Sequence, residues 1–94
     1  MKKHTRIYLS EMGYDETDWI MCEVVDCGCR AVDIHHINAR GMGGSESKDS
    51  IENLMALCRS CHIELGDRKS MKDFLIKCHQ RRMYERNVNS NRPS

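Results

Sequence analysis

Four of the six cysteines fall into two pairs spaced to hold one metal ion: Cys22 with Cys27, and Cys58 with Cys61. Two residues between Cys58 and Cys61 let a tight turn aim both sulfurs inward, where backbone amides can hydrogen-bond them. The first pair has four intervening residues, a longer knuckle of the same kind. Cys29 competes with Cys27 for its role; Cys27 is preferred because Gly28, directly after it, frees the backbone to turn. Zinc is the expected metal for four thiolates. A second set of ligand types sits between and beside these pairs: His35-His36 after Asp33, and His62 directly after Cys61. A strand histidine and a helix histidine facing each other, completed by water, make an incomplete shell for a divalent ion, open to a substrate oxygen. A spare histidine, with an ordinary pKa of ~6.5, suits a general base at neutral pH.

These residues need elements to position them. Thr5, Tyr8, Leu9 and Met12 recur at helical spacing, so His4 to Met12 reads as a short helix ended by Gly13. Asp15 to Asp18 is turn-like, and Trp19 and Ile20 are expected to pack beside the cysteine knuckle. Arg30 to Ile37 reads as a strand ending near His36. Asn38 to Ser50, with Gly41, Gly43 and Gly44, reads as a loop. Glu52 to Leu57 reads as the loop end and a second strand, and Cys58 to Leu65 as a helix stopped by Gly66. Asp67 to Arg86 is a second helix candidate with Met71, Phe74, Leu75 and Cys78 on its apolar face. His79 falls off that face and is expected to be exposed. Lys69, Lys72, Lys77, Arg81, Arg82 and Arg86 form the positive side, and Asn87 to Ser94 is a polar tail expected to fray.

Composition bounds the rest. At 94 residues one domain is the default. Only 39% of residues are hydrophobic and 5% aromatic, so a staple is needed. There is no signal-like or membrane-spanning apolar run, so a cytoplasmic location, in a bacterium or a phage-infected host, is expected. In a reducing cytosol cysteines favour metal over disulfides. Residues 1–66 hold 7 Lys/Arg against 11 Asp/Glu, and residues 67–94 hold 8 against 3, so net charge runs from −4 to +5 along the chain. The basic end can meet a polyanion.

Asp33-Ile34-His35-His36-Ile37, Ile51-Glu52-Asn53-Leu54 and Leu57-Cys58-Arg59-Ser60-Cys61-His62 resemble, in order, the three blocks of the HNH endonucleases. The subtype is the zinc-containing one with two cysteine pairs, found among bacteriophage and bacterial nucleases, and Arg40-Gly41-Met42-Gly43-Gly44-Ser45 also resembles phage members. The resemblance implies a small α+β fold: a ββα-metal core with a structural zinc knuckle and flanking N- and C-terminal helices. The chain then divides into a helix and lead-in (1–21), the knuckle and core (22–66), a basic helix (67–87) and a tail (88–94).

The resemblance implies a metal-dependent DNA endonuclease. His36 would be the general base. Asn53 would brace the loop that orients it. His35 and His62 would hold a catalytic Mg²⁺, Mn²⁺, Ni²⁺ or Zn²⁺, and Cys22, Cys27, Cys58 and Cys61 a structural Zn²⁺. Products would be 5′-phosphate and 3′-hydroxyl ends, with a nick favoured. The partner would be double-stranded DNA read with limited specificity, contacted by Arg40, Arg59, Lys69, Lys72, Lys77, Arg81 and Arg82. Whether one chain or a homodimer acts stays open. The alternatives are a non-catalytic zinc-stapled nucleic-acid-binding module and a phage packaging accessory.

Two features depart from the simplest pattern. Some family members carry another histidine where this chain has Gly66. Asp33 lies on the face of His35 in an ideal strand, and either orients His35 or takes a metal position. The same alternation points His35 and His36 to opposite faces, so one site can use both only if the strand ends or twists there.

Overall fold

The structure, a computed structural model, describes residues 2–38 and 49–88. Its order is α1 (Lys3–Met12), β1 (Asp33–His36), β2 (Leu54–Leu57), α2 (Arg59–Cys61), a π-helical turn (His62–Gly66) and α3 (Lys72–Glu85). Short 3-10 turns, Ile51–Asn53 and Lys69–Met71, lead into β2 and α3. The fold is small α+β, as expected. No helix among the described residues is long and apolar enough to cross a membrane.

β2 is the structural centre. Leu54, Met55, Ala56 and Leu57 are all buried, because elements cover both faces of the two-stranded sheet. Alternation along the strand divides them. Met55 and Leu57 pack with Cys22, Cys58, Leu75 and Cys78. Leu54 and Ala56 pack with Tyr8, Met12, Ile51 and Met83. β1 pairs antiparallel with β2, with Asp33 opposite Leu57 and His35 opposite Met55. Asp33 and His35 therefore share the face that carries the cysteines and the start of α3. Ile34 and His36 share the face covered by α1.

α1 ends at Gly13, whose φ of 77° satisfies the last carbonyls in a left-handed cap that only glycine adopts freely. The lead-in then runs extended. Ile20 and Cys22 turn inward while Trp19 and Met21 turn out, which corrects the expected packing of Trp19: it is 58% exposed. The helix expected over Cys58 to Leu65 is three α-helical residues followed by the π turn.

His79, expected on the surface, is 1% exposed. α3 is buried on more than its apolar stripe, because α1 and the knuckle close over it. The imidazole is held by Glu23, which is also buried. Its Nδ1 lies 2.6 Å from Glu23 Oε1, and Nε2 lies 2.6 Å from the Ile51 carbonyl oxygen. A carbonyl only accepts, so Nε2 carries a proton. Tyr8 donates its hydroxyl to Glu23 Oε2, and Ala56 N–H donates to the same oxygen at 3.0 Å. Burial, then the Glu23 carboxylate, push the Tyr8 phenol far above its ordinary range, so it remains a donor. One carboxylate thereby ties α1, β2 and α3 together.

Arg82, expected on the positive side of the helix, is buried as well. It is 8% exposed and spends its guanidinium on the carbonyls of Met21 (2.8 Å) and Cys22 (3.0 Å), so it leaves the set of candidate phosphate contacts. Arg86 likewise binds the carbonyls of Met12 and Gly13 and stacks over Tyr14.

Removing one member of a buried ionic pair strands the other and costs about 3–5 kcal/mol. His79→Ala is therefore expected to destabilise the protein by that amount in urea unfolding. An unchanged midpoint would show that the network contributes nothing.

Candidate metal centres

Cys22, Cys27, Cys58 and Cys61 place their sulfurs within 4.8 Å of one another. The Cys27–Cys58 and Cys27–Cys61 separations are both 3.7 Å. A tetrahedron of sulfurs about 2.3 Å from a zinc ion has edges of about 3.8 Å, so the donor set fits zinc in type, number and spacing. The knuckle is closed at its base by a bridge between Met21 and Arg30 and by Cys22 N–H donating to the Cys29 carbonyl at 2.7 Å. It turns through left-handed residues at Asp26 (φ 64°) and Gly28 (φ 72°). Cys58 caps α2, its sulfur accepting from Cys61 N–H at 3.4 Å. The Cys29 backbone amide holds the Cys27 thiol down, to about 7, which favours the thiolate that binds metal. Burial pushes the Cys22 and Cys61 thiols up, which a bound cation offsets. Cys29 is exposed and outside the cluster. Cys78 is buried in the core, as its place on the α3 stripe predicts.

The histidines form a second candidate centre. The rings of His35 and His62 lie 4.9 Å apart between centroids. His62 Nδ1 donates to Asp33 Oδ2 at 3.0 Å, leaving the lone pair on Nε2. Asp33 thus pairs with His62, and with Arg59 at 3.6 Å, where the sequence suggested His35 as its partner. His35 is buried, and its Nε2 has no hydrogen-bond partner. Burial, then the neighbouring His62, lower the His35 pKa, which favours the neutral ring with a lone pair to give. A buried imidazole nitrogen without a partner, beside a second imidazole turned by a carboxylate, suits a divalent cation.

Gly66 makes room for this pair. A Cβ there would sit 2.8 Å from His62 Cδ2, 3.3 Å from His35 Cε1 and 3.5 Å from His35 Nε2. Two imidazole edges project into the gap that a side chain at this position would fill. The π turn, a form frequent at functional sites, carries Gly66 to that point.

His36 faces the other way, as alternation requires. Its Nε2 lies 2.7 Å from Asp49 Oδ1, and its ring is 4.6 Å from that of His4. A carboxylate accepts, so Nε2 carries the proton and Nδ1 is basic. β1 nevertheless ends at His36, and both histidines line one cleft of about 140 Å³ with Gly66, Asp67, Arg68, Lys69 and Lys72. Asn53 pins the chain just beyond. Its Oδ1 accepts from Asn38 N–H at 2.7 Å, and its Nδ2 donates to the Asn38 carbonyl at 2.9 Å.

The three motif blocks are thus brought to one sheet and the turn beside it. A match to the family model described as HNH endonuclease covers residues 22–68, half of the chain. The chain belongs to the HNH endonuclease family. No curated protein and no solved structure matches it significantly. In this HNH chain Asp49 and Arg68 join the site from positions that the motif reading passed over. Asp49 lies 13 residues beyond His36 with no periodicity linking them, and Arg68 was hidden among the charges of the tail. Arg40 lies outside the described residues. Lys69, Lys77 and Arg81 are exposed on the α3 side, and Arg81 pairs with Glu85 at 3.4 Å.

Two substitutions test this geometry. Cys27→Ser is expected to lose stoichiometric zinc in a chelator-release assay, while Cys29→Ser keeps one ion per chain; the reverse would exchange their roles. Gly66→Ala forces a methyl group against both imidazoles and is expected to cost about 1–3 kcal/mol in chemical denaturation. A neutral effect would mean the rings move aside freely.

Proposed function

We propose that the protein is a metal-dependent endonuclease that hydrolyses phosphodiester bonds of double-stranded DNA. The observation that carries this reading is the partnerless buried Nε2 of His35 beside His62, in a cleft shared with His36. His35 and His62 would hold one divalent cation (Mg²⁺, Mn²⁺, Ni²⁺ or Zn²⁺). When bound, it supplies positive charge for the developing phosphorane and departing oxygen. Asp33 turns His62, and Asp49 turns His36 so that Nδ1 is the basic nitrogen.

His36 takes a proton from a water molecule, whose oxygen attacks phosphorus in line with the 3′ oxygen. The bond to that oxygen breaks, solvent returns its proton, and the ends are a 5′-phosphate and a 3′-hydroxyl. Asn53 keeps the backbone after His36 in place through Asn38 and so fixes where the ring stands. One site per chain cuts one strand, so a monomer nicks and a break needs two chains. Contacts to backbone phosphates fix position without reading bases, which accounts for limited specificity. The cysteine-bound zinc is structural, since four protein ligands leave it no open position.

General base catalysis is typically worth about 10²–10⁴-fold. His36→Ala is expected to slow plasmid nicking by that factor with Mg²⁺, Mn²⁺ or Ni²⁺, with its zinc content and unfolding midpoint unchanged. Wild-type rates in the variant would remove His36 from the role. Salt-sensitive DNA binding without cleavage under any ion would make the chain a zinc-stapled binding module.

A further inference from the structure

The basic end of the chain does not act as one surface. Arg81 and Arg82 turn to Glu85, Arg82 is buried on backbone carbonyls, and Arg86 is spent on α1 and Tyr14. Arg68, Lys69 and Lys72 differ. None of the three forms an ion pair among the described residues, and all three line the cleft of His35 and His36. They crowd the turn that leads into α3, at the positive end of that helix's dipole, where cations are disfavoured. No side chain caps this end. One carboxylate, Asp67, lies in the same cleft and leaves its charge net positive. Such a concentration of unpaired cations is stabilised when an anion occupies the cleft.

We infer that Arg68, Lys69 and Lys72 form the seat for a backbone phosphate of the DNA strand, beside the scissile phosphate at the histidines. The inference rests on the nuclease reading for the identity of the strand and adds where that strand lies. It runs over the turn between Gly66 and α3, and the rest of α3 stays clear of it. Lys77 stands about 140° and Arg81 about 180° around the helix from Lys72, so neither reaches the same strand. Arg68 is a binding residue that charge counting alone does not separate from its neighbours.

The test uses the full zinc-loaded chain without added divalent cation and a fluorescein-labelled DNA duplex of mixed sequence. Anisotropy titrations over a range of salt compare the wild type, Arg68→Ala/Lys72→Ala and Lys77→Ala/Arg81→Ala. Each phosphate contact contributes about −0.9 to the slope of log K against log salt. The Arg68/Lys72 variant is expected to lose about two units of slope, and the Lys77/Arg81 variant to keep the wild-type slope. Zinc content and circular dichroism establish that each variant is folded, and Lys72→Gln, which retains the aliphatic stem, gives about half the effect if the double variant is not. Inorganic phosphate at the same ionic strength should compete weakly, since it offers one contact and the strand several. A wild-type slope in the Arg68/Lys72 variant, or an equal loss in the control, overturns the seat while leaving the nuclease reading intact. No salt-dependent binding by the wild type overturns both.

Discussion

Four sulfurs gathered within 4.8 Å of one another, placed to hold one cation, are the constraint on which the rest of this molecule depends. Packing thiols edge to edge with no central charge gains little, and burial raises the cost of ionising Cys22 and Cys61. A bound metal ion would reverse that balance and join the knuckle before β1 to the junction of β2 and α2. With one Trp and one Phe, the chain has few large side chains with which to make the same tie.

The four cysteines positioned to hold a metal ion stand beside the elements that carry the motif histidines. Cys61 precedes His62, so the knuckle sets the start of the π turn and hence where His62 and Gly66 meet His35. Cys22 precedes Glu23, whose carboxylate gathers Tyr8, Ala56 and His79. Metal binding and the buried polar hub are therefore two anchors one residue apart, one for each side of β2. Loss of either would loosen both faces of the sheet.

A common device recurs in the polar groups. Each of three imidazoles faces a carboxylate: His62 with Asp33, His36 with Asp49, His79 with Glu23. In the first two the carboxylate selects which nitrogen is free, a prerequisite for a ligand or a base. In the third both nitrogens are engaged, and the residue is structural. His35, the one motif histidine with an unsatisfied buried nitrogen, is the exception, and on the proposed reading that nitrogen is a metal ligand.

Much of the site was legible in the sequence because it is local. The Cys58–Cys61 spacing, the histidine pair at a strand end and the helical stripe through Leu75 and Cys78 are set by backbone periodicity. Gly13 and Gly28 likewise announced turns that only their conformational freedom permits. What tertiary structure decided was which charges meet across long separations in the chain. The sequence could not choose Cys27 over Cys29 beyond a preference, because the choice rests on which sulfur the closed knuckle turns inward. It placed His79 and Arg82 on the surface, since their burial depends on Glu23 and on carbonyls some sixty residues away. It could not pair Asp33 with His62 or Asp49 with His36. Periodicity reports which face a side chain takes; its partner is settled only when another element arrives on that face.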